Sequence, residues 1–154
     1  MNAGIRSALS SIWAAVHSPS GLPFPETVSQ LVALGITRYR VDYIARNITA
    51  YQPASPGAAL PTSGSRTEGA LFDTVAFPAE HEYTLGSWNK DGVVAAIRRA
   101  QAGEGNYVGF SERIVGSGVV EYTVYIDGKK VVYVGSEGDV HTEWFPGAGP
   151  NSDK

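Results

Sequence analysis

From Thr37 to Ile44 the side chains alternate. Tyr39, Val41 and Tyr43 fall on one side of an extended chain, Arg38, Arg40 and Asp42 on the other. A period of two is the signature of a half-buried strand. The next stretch, "NITAY", reads as its antiparallel partner, with Arg46 and Asn47 near the turn. Ahead of this pair the period changes. Val28, Leu31 and Val32 form a helical stripe, Pro25 and Glu26 suit a first turn, and Gly35 supplies the stop.

The pattern recurs later in the chain. "KDGVVAAIRRAQAG" predicts a helix with Val93, Ile97 and Ala100 on its apolar stripe and Gly103 as its end. "NYVGFSERIVGSG" predicts another, capped by Asn106, with Phe110 and Ile114 one turn apart and Gly116 or Gly118 closing it. "VVEYTVYIDGKKVVYVGSEGDVHTEWF" then predicts three antiparallel strands. At the N-terminus "ALSSIWAAVHS" reads as an amphipathic helix, too broken by serines for a signal peptide. No run approaches the roughly 18 apolar residues of a membrane span.

These elements predict an α+β fold: one domain over residues 1–154, an antiparallel sheet with helices packed on it. Gly35, Tyr39 and Val41 correspond at one fixed offset to Gly118, Tyr122 and Val124, so the spacing fits a duplicated helix–strand–strand unit. Common helix–Gly–strand punctuation would give the same three matches. Tyr39, Val41, Tyr122 and Val124 are expected to share one core. Residues 53–69, rich in Pro, Gly, Ser and Ala, have too little apolar bulk to offset the entropy of ordering and are expected to form a mobile loop. A flexible tail is expected over about 147–154.

Turn parity decides which way the last strand faces. A two-residue Asp127-Gly128 turn puts Tyr122, Val124, Val131 and Tyr133 together. A two-residue Glu137-Gly138 turn then adds Val140, Thr142 and Trp144 to that face, sending His141, Glu143 and Phe145 outward beside Thr123 and Tyr125. A three-residue Ser136-Glu137-Gly138 loop reverses the last strand. The two-residue register is the expectation, because it keeps a carboxylate out of the core.

Composition narrows the function. With 12 Lys and Arg against 15 Asp and Glu, a net charge of -3, the 154-residue chain lacks the basic footprint of a phosphate-backbone binder. No nucleic-acid partner and no membrane partner are expected. The absence of cysteine excludes thiolate nucleophiles, disulfides and cysteine metal sites.

Several stretches in order, "GITRYRVD", "HEY", "AIRRAQ" and "GVVEYTVYIDGKKVVYVGSEGDVHTEWFP", resemble the YdfO-like family of bacterial and prophage-encoded domains of unknown function. The similarity covers most of Phe24 to Pro146 apart from the Pro/Gly/Ser loop. The most specific part is the C-terminal succession of Tyr-x-Val, a Gly-Lys turn, Val-x-Tyr-x-Gly and His-x-Glu-x-Phe-Pro. The resemblance implies a small α+β domain with a prophage association. It carries over no catalytic residue, cofactor or partner.

The chemical candidates are few. His141 and Glu143 share a strand face and, with His81 from "EHEY", have the donor types of a zinc or iron site, but no HExxH helix or second strand histidine joins them. No Gly-x-Ser-x-Gly elbow, Rossmann fingerprint or P-loop is present. The aromatics Tyr122, Tyr125, Tyr133, Trp144 and Phe145 exceed what one face of a small sheet requires, and outward-facing Tyr and Trp suit recognition. The expectation is a non-catalytic cytoplasmic binding or protein-interaction module without metal or cofactor. Its candidate surface is Tyr125, His141, Glu143, Phe145 and His81, its partner a protein or small ligand, and self-association through a sheet edge is compatible with it. The rival reading is a small enzyme that gathers His81, His141 and Glu143 in one pocket.

Overall fold

The computed structural model describes residues 1–54, 56–57, 59–60, 71–78 and 81–150. Most of the 53–69 segment, and residues 151–154 of the tail, lie outside the described residues. Helix α1 (Ala3–His17) begins where the Asn2 side chain accepts a hydrogen bond from the Ile5 N–H. Then follow α2 (Phe24–Ala33), strands β1 (Arg38–Asp42), β2 (Asn47–Tyr51) and β3 (Phe72–Ala76), helices α3 (Lys90–Gln101) and α4 (Tyr107–Gly116), and strands β4 (Val119–Tyr125), β5 (Lys130–Gly135) and β6 (Val140–Trp144). All strand pairs are antiparallel, in the order β3-β2-β1-β4-β5-β6. This is an α+β fold.

The apolar stretch Leu71 to Phe77 supplies β3, the edge strand beside β2. Asn89 and Asn106 cap α3 and α4, their side chains accepting from the Gly92 and Gly109 N–H groups. Two helical stripes differ from expectation by one position each. Val32 of α2 is 53% exposed while Thr27 and Leu31 are buried, and Ala96 rather than Ala100 joins Val93 and Ile97.

Two halves of the sheet meet at its centre, where Tyr39 pairs with Val124 and Val41 with Tyr122. This pairing is what a twofold between two like units produces, since each member of one unit lies opposite the other member's counterpart. Further correspondences fall at the same offset. Gly35 and Gly118 both have positive φ, as do Arg46 and Lys129, the last residues of the β1–β2 and β4–β5 hairpin loops. Those four-residue loops replace the expected two-residue turn but keep its even parity, so Tyr122, Val124, Val131 and Tyr133 share a face.

All four helices lie on that face. Trp13 of α1 packs on Tyr39, with ring centroids 5.1 Å apart, and Phe24 of α2 on Phe145 at 5.4 Å. Arg98 of α3 reaches Glu143, and Ser111 of α4 meets Tyr43. The core fills the space between: Leu9, Leu31, Ile36, Val41, Ile48, Val93, Ile114 and Val124 are essentially inaccessible to solvent. Among the described residues, no helix is long and apolar enough to cross a membrane.

Candidate functional site

The β5–β6 register overturns the expected orientation of the last strand. Tyr133 pairs with His141 and Val131 with Glu143, so the loop is the three-residue Ser136-Glu137-Gly138 form. Gly138 adopts φ 88°, the left-handed position that closes such a loop. His141, Glu143 and Phe145 therefore face the helices, while Val140, Thr142 and Trp144 face away. The objection to burying Glu143 is met by α3, whose Arg98 guanidinium pairs with one carboxylate oxygen. His141 Nε2 lies 3.5 Å from the other. Sequence periodicity does not show which distant cation will answer a buried acid.

The five predicted surface residues consequently separate. Phe145 packs edge-on against Phe24, and His141 stacks beside Tyr133 with ring centroids 6.3 Å apart. Tyr125 stands on the opposite face of the sheet. His81 sits in the loop before α3, its Nε2 2.7 Å from Glu112 and its ring against Tyr83, while its carbonyl accepts from Arg46. His81 shares no contact with His141 or Glu143. Among the described residues, no group of three or more His, Asp or Glu could hold a metal ion. A surface groove of about 630 Å³ between α3 and α4 is lined by Ala95, Arg99, Glu104, Glu112 and Arg113, with neither His141 nor Glu143 on its wall.

A polar cluster missed by the sequence reading lies beneath the helices. Tyr107 Oη is 2.5 Å from Tyr122 Oη, and Tyr43 Oη is 2.7 Å from Ser111 Oγ. Burial pushes the Tyr43, Tyr107 and Tyr122 hydroxyls above the usual phenol range. His17 packs against Tyr107 and Phe77, and burial pushes its pKa down against the opposing effect of its 2.8 Å contact with the Trp13 carbonyl. The hydroxyls of Tyr43, Tyr107, Ser111 and Tyr122 satisfy one another, while the buried His17 Nε2 has no hydrogen-bond partner among the described residues. They rigidify the helix–sheet interface.

The opposite face of the sheet is different. Among the described residues no helix covers it, and its side chains are half-buried or exposed, with Thr49 the buried one. Strand register arranges them in three rows across all six strands. The first is Phe72, Tyr51, Arg38, Tyr125, Lys130, Trp144; the second Thr74, Thr49, Arg40, Thr123, Val132, Thr142; the third Ala76, Asn47, Asp42, Glu121, Val134, Val140. The first row interleaves four aromatic rings with two cations. The Arg38 guanidinium lies 3.9 Å from the Tyr51 ring centroid, and the Lys130 ammonium 5.1 Å from that of Trp144. At about 4.8 Å per strand the row is roughly 24 Å long. Asp42 in the third row is occupied locally, accepting from the Ile44 and Ala45 N–H groups at the turn.

Alternation in "RYRVD" already marks Arg38 and Arg40 as outward. Their alignment with Trp144 became visible only with the correct final register. No protein-family model matches the chain, and no curated protein matches it.

Proposed function

We propose that this chain is a non-catalytic protein-interaction module whose working surface is the open face of the sheet. The observation that carries the reading is the row of Phe72, Tyr51, Arg38, Tyr125, Lys130 and Trp144, over which no helix lies among the described residues. Rings held by neighbouring cations present apolar area at small entropic cost, the property that enriches Tyr, Trp and Arg at protein interfaces. Arg38, Arg40 and Lys130 suit an acidic partner protein. The net charge of -3 weighs against a phosphate backbone in that role. The resemblance to YdfO-like domains fits a bacterial, prophage-associated protein acting in the cytoplasm, and both belong to this proposal.

A photo-crosslinking amino acid at Tyr125, in host cells, tests it. The expected result is a discrete adduct with a second protein that disappears when Arg38 and Lys130 are both changed to Glu, with the circular dichroism spectrum unchanged. Self-adducts alone, or an adduct indifferent to the charge reversal, would overturn the reading.

A further inference from the structure

Among the described residues, strand β6 ends the sheet and its outer edge has no partner strand. The ladder bonds fix which backbone groups point there. Gly135 donates to the Asp139 carbonyl and Phe145 to the Lys129 carbonyl, so the odd-numbered residues of β6 turn their N–H and C=O toward β5. Val140, Thr142 and Trp144 turn theirs to the open edge. Their side chains are exposed, Val140 by 54% and Trp144 by 38%. An edge strand with no charge among its outward side chains and with neither proline nor bulge is a template for another strand, and the inward charge of Glu143 is already matched by Arg98.

We propose that this edge pairs with β6 of a second copy, antiparallel and centred on Thr142, joining two six-stranded sheets into one. The inference goes beyond the open-face reading, because it assigns a different surface and a different partner. Three features of "VHTEW" select this occupant and register. First, hydrogen-bond phase requires Val140, Thr142 and Trp144 to pair among themselves, and centring on Thr142 pairs all three at once. Second, Val140 then lies beside the second copy's Trp144 on the outer face, extending the Val134–Val140 apolar row onto an indole. Third, on the helix-covered face His141 lies beside the second copy's Glu143, and Glu143 beside its His141.

The neighbouring registers of the same phase fail on this third point. Sliding by one pair in one direction sets His141 against His141, and in the other sets Glu143 against Glu143, like group on like. The other sheet edge offers no equivalent match. Centring β3 on Thr74 would set Asp73, which is already beside Arg6 at 3.6 Å, against Val75. The resulting contact is isologous and closes as a dimer. It leaves both open faces on the same side of one continuous sheet.

Sedimentation or light scattering of the whole chain across the micromolar range tests the pairing, together with edge variants. Thr142→Pro removes an N–H that points to the open edge and no bond within the chain; Val140→Lys places a charge at an exposed position. Both are expected to keep the native circular dichroism spectrum and to stay monomeric where the parent protein dimerises. Should Thr142→Pro not fold, Val140→Lys alone decides. The chain has no cysteine, so Thr142→Cys is a single probe. Paired Thr142 positions would stand about 5.5 Å apart between Cα atoms, within disulfide reach. Rapid oxidative cross-linking is expected there and not for Thr74→Cys on the other edge. A parent protein monomeric throughout, a dimer indifferent to the folded edge variants, or equal cross-linking of the two cysteines would each overturn the proposal. A dimer lost instead on Arg38→Glu would overturn edge pairing and redirect self-association to the open face, whereas a strictly monomeric chain would leave the open-face reading standing.

Discussion

Arg98 of α3 and Glu143 of β6 form an ion pair across the helix–sheet interface, with Glu143 only 14% exposed at its side chain. The pair makes the inward orientation of β6 tolerable. Replacing Arg98 by Met leaves the carboxylate with only His141 nearby and is expected to cost about 1–3 kcal/mol, as removal of one partner of a shielded charged hydrogen bond does. Arg98→Met combined with Glu143→Gln should recover part of that loss. A double-mutant cycle in urea measures the coupling; an additive result would show that Arg98 contributes nothing to holding β6.

The two repeat-related glycines should respond differently to the same substitution. Gly35 and Gly118 both have positive φ, but a Cβ on Gly35 meets nothing within 4 Å, whereas one on Gly118 would stand 2.5 Å from the Trp88 Cα. Gly35→Ala is expected to cost about 1–2 kcal/mol, the strain of a left-handed alanine. Gly118→Ala adds a collision with backbone and should exceed that by at least about 2 kcal/mol. Denaturation midpoints of the two variants decide it, and equal losses would count against the close approach of the Trp88 segment.

Val124, 1% exposed at the centre of the sheet, is the counterpart of Val41 across the internal twofold. Val124→Ala should destabilise by roughly 1–3 kcal/mol through lost burial and the cavity left behind. A neutral effect in chemical denaturation would contradict the packing described for β1 and β4.

Much of this architecture could be read from local patterns because the governing forces are local. Alternation in "RYRVD" and "VVEYTVY" follows from strand geometry, and Asn106 and Gly103 act on backbone groups within a few residues. The failures lie where distant groups decide. Whether Glu143 faces inward depends on Arg98, which is far away in sequence, and that choice moved Trp144, His141 and Phe145 together. The tyrosine cluster escaped notice for the same reason, since Tyr43, Tyr107, Ser111 and Tyr122 come from β4, α4 and the β1–β2 loop. The candidate surface was thus legible as an excess of aromatics but not as a particular row.

The buried phenols should make the fold sensitive to alkali. Tyr43, Tyr107 and Tyr122 have folded pKa values above the unfolded value of about 10, so the folded state holds protons that the unfolded state releases. Their contribution is complete below about pH 10 and is lost as pH rises above it. Phenolate absorbance and circular dichroism should therefore change together for these groups. Complete ionisation of all tyrosines with the secondary structure intact would contradict the closed cluster.

His17 should act at the other end of the pH range. Burial lowers its folded pKa below the unfolded value of about 6.5, despite the contact with the Trp13 carbonyl. Between the two values the unfolded state binds more protons than the folded state, so stability rises with pH through that window and falls on acidification below about pH 6.5. Acid stability sums contributions from the whole chain, so the useful quantity is a difference between proteins. His17→Phe keeps an aromatic ring against Phe77 and Tyr107 while removing the titrating group. Its stability relative to the parent chain is expected to improve as pH is lowered from 7.5 to 5, measured by urea denaturation at each pH. A difference that stays constant across that range would mean that His17 titrates alike in both states, and its burial against Tyr107 would then have to be abandoned.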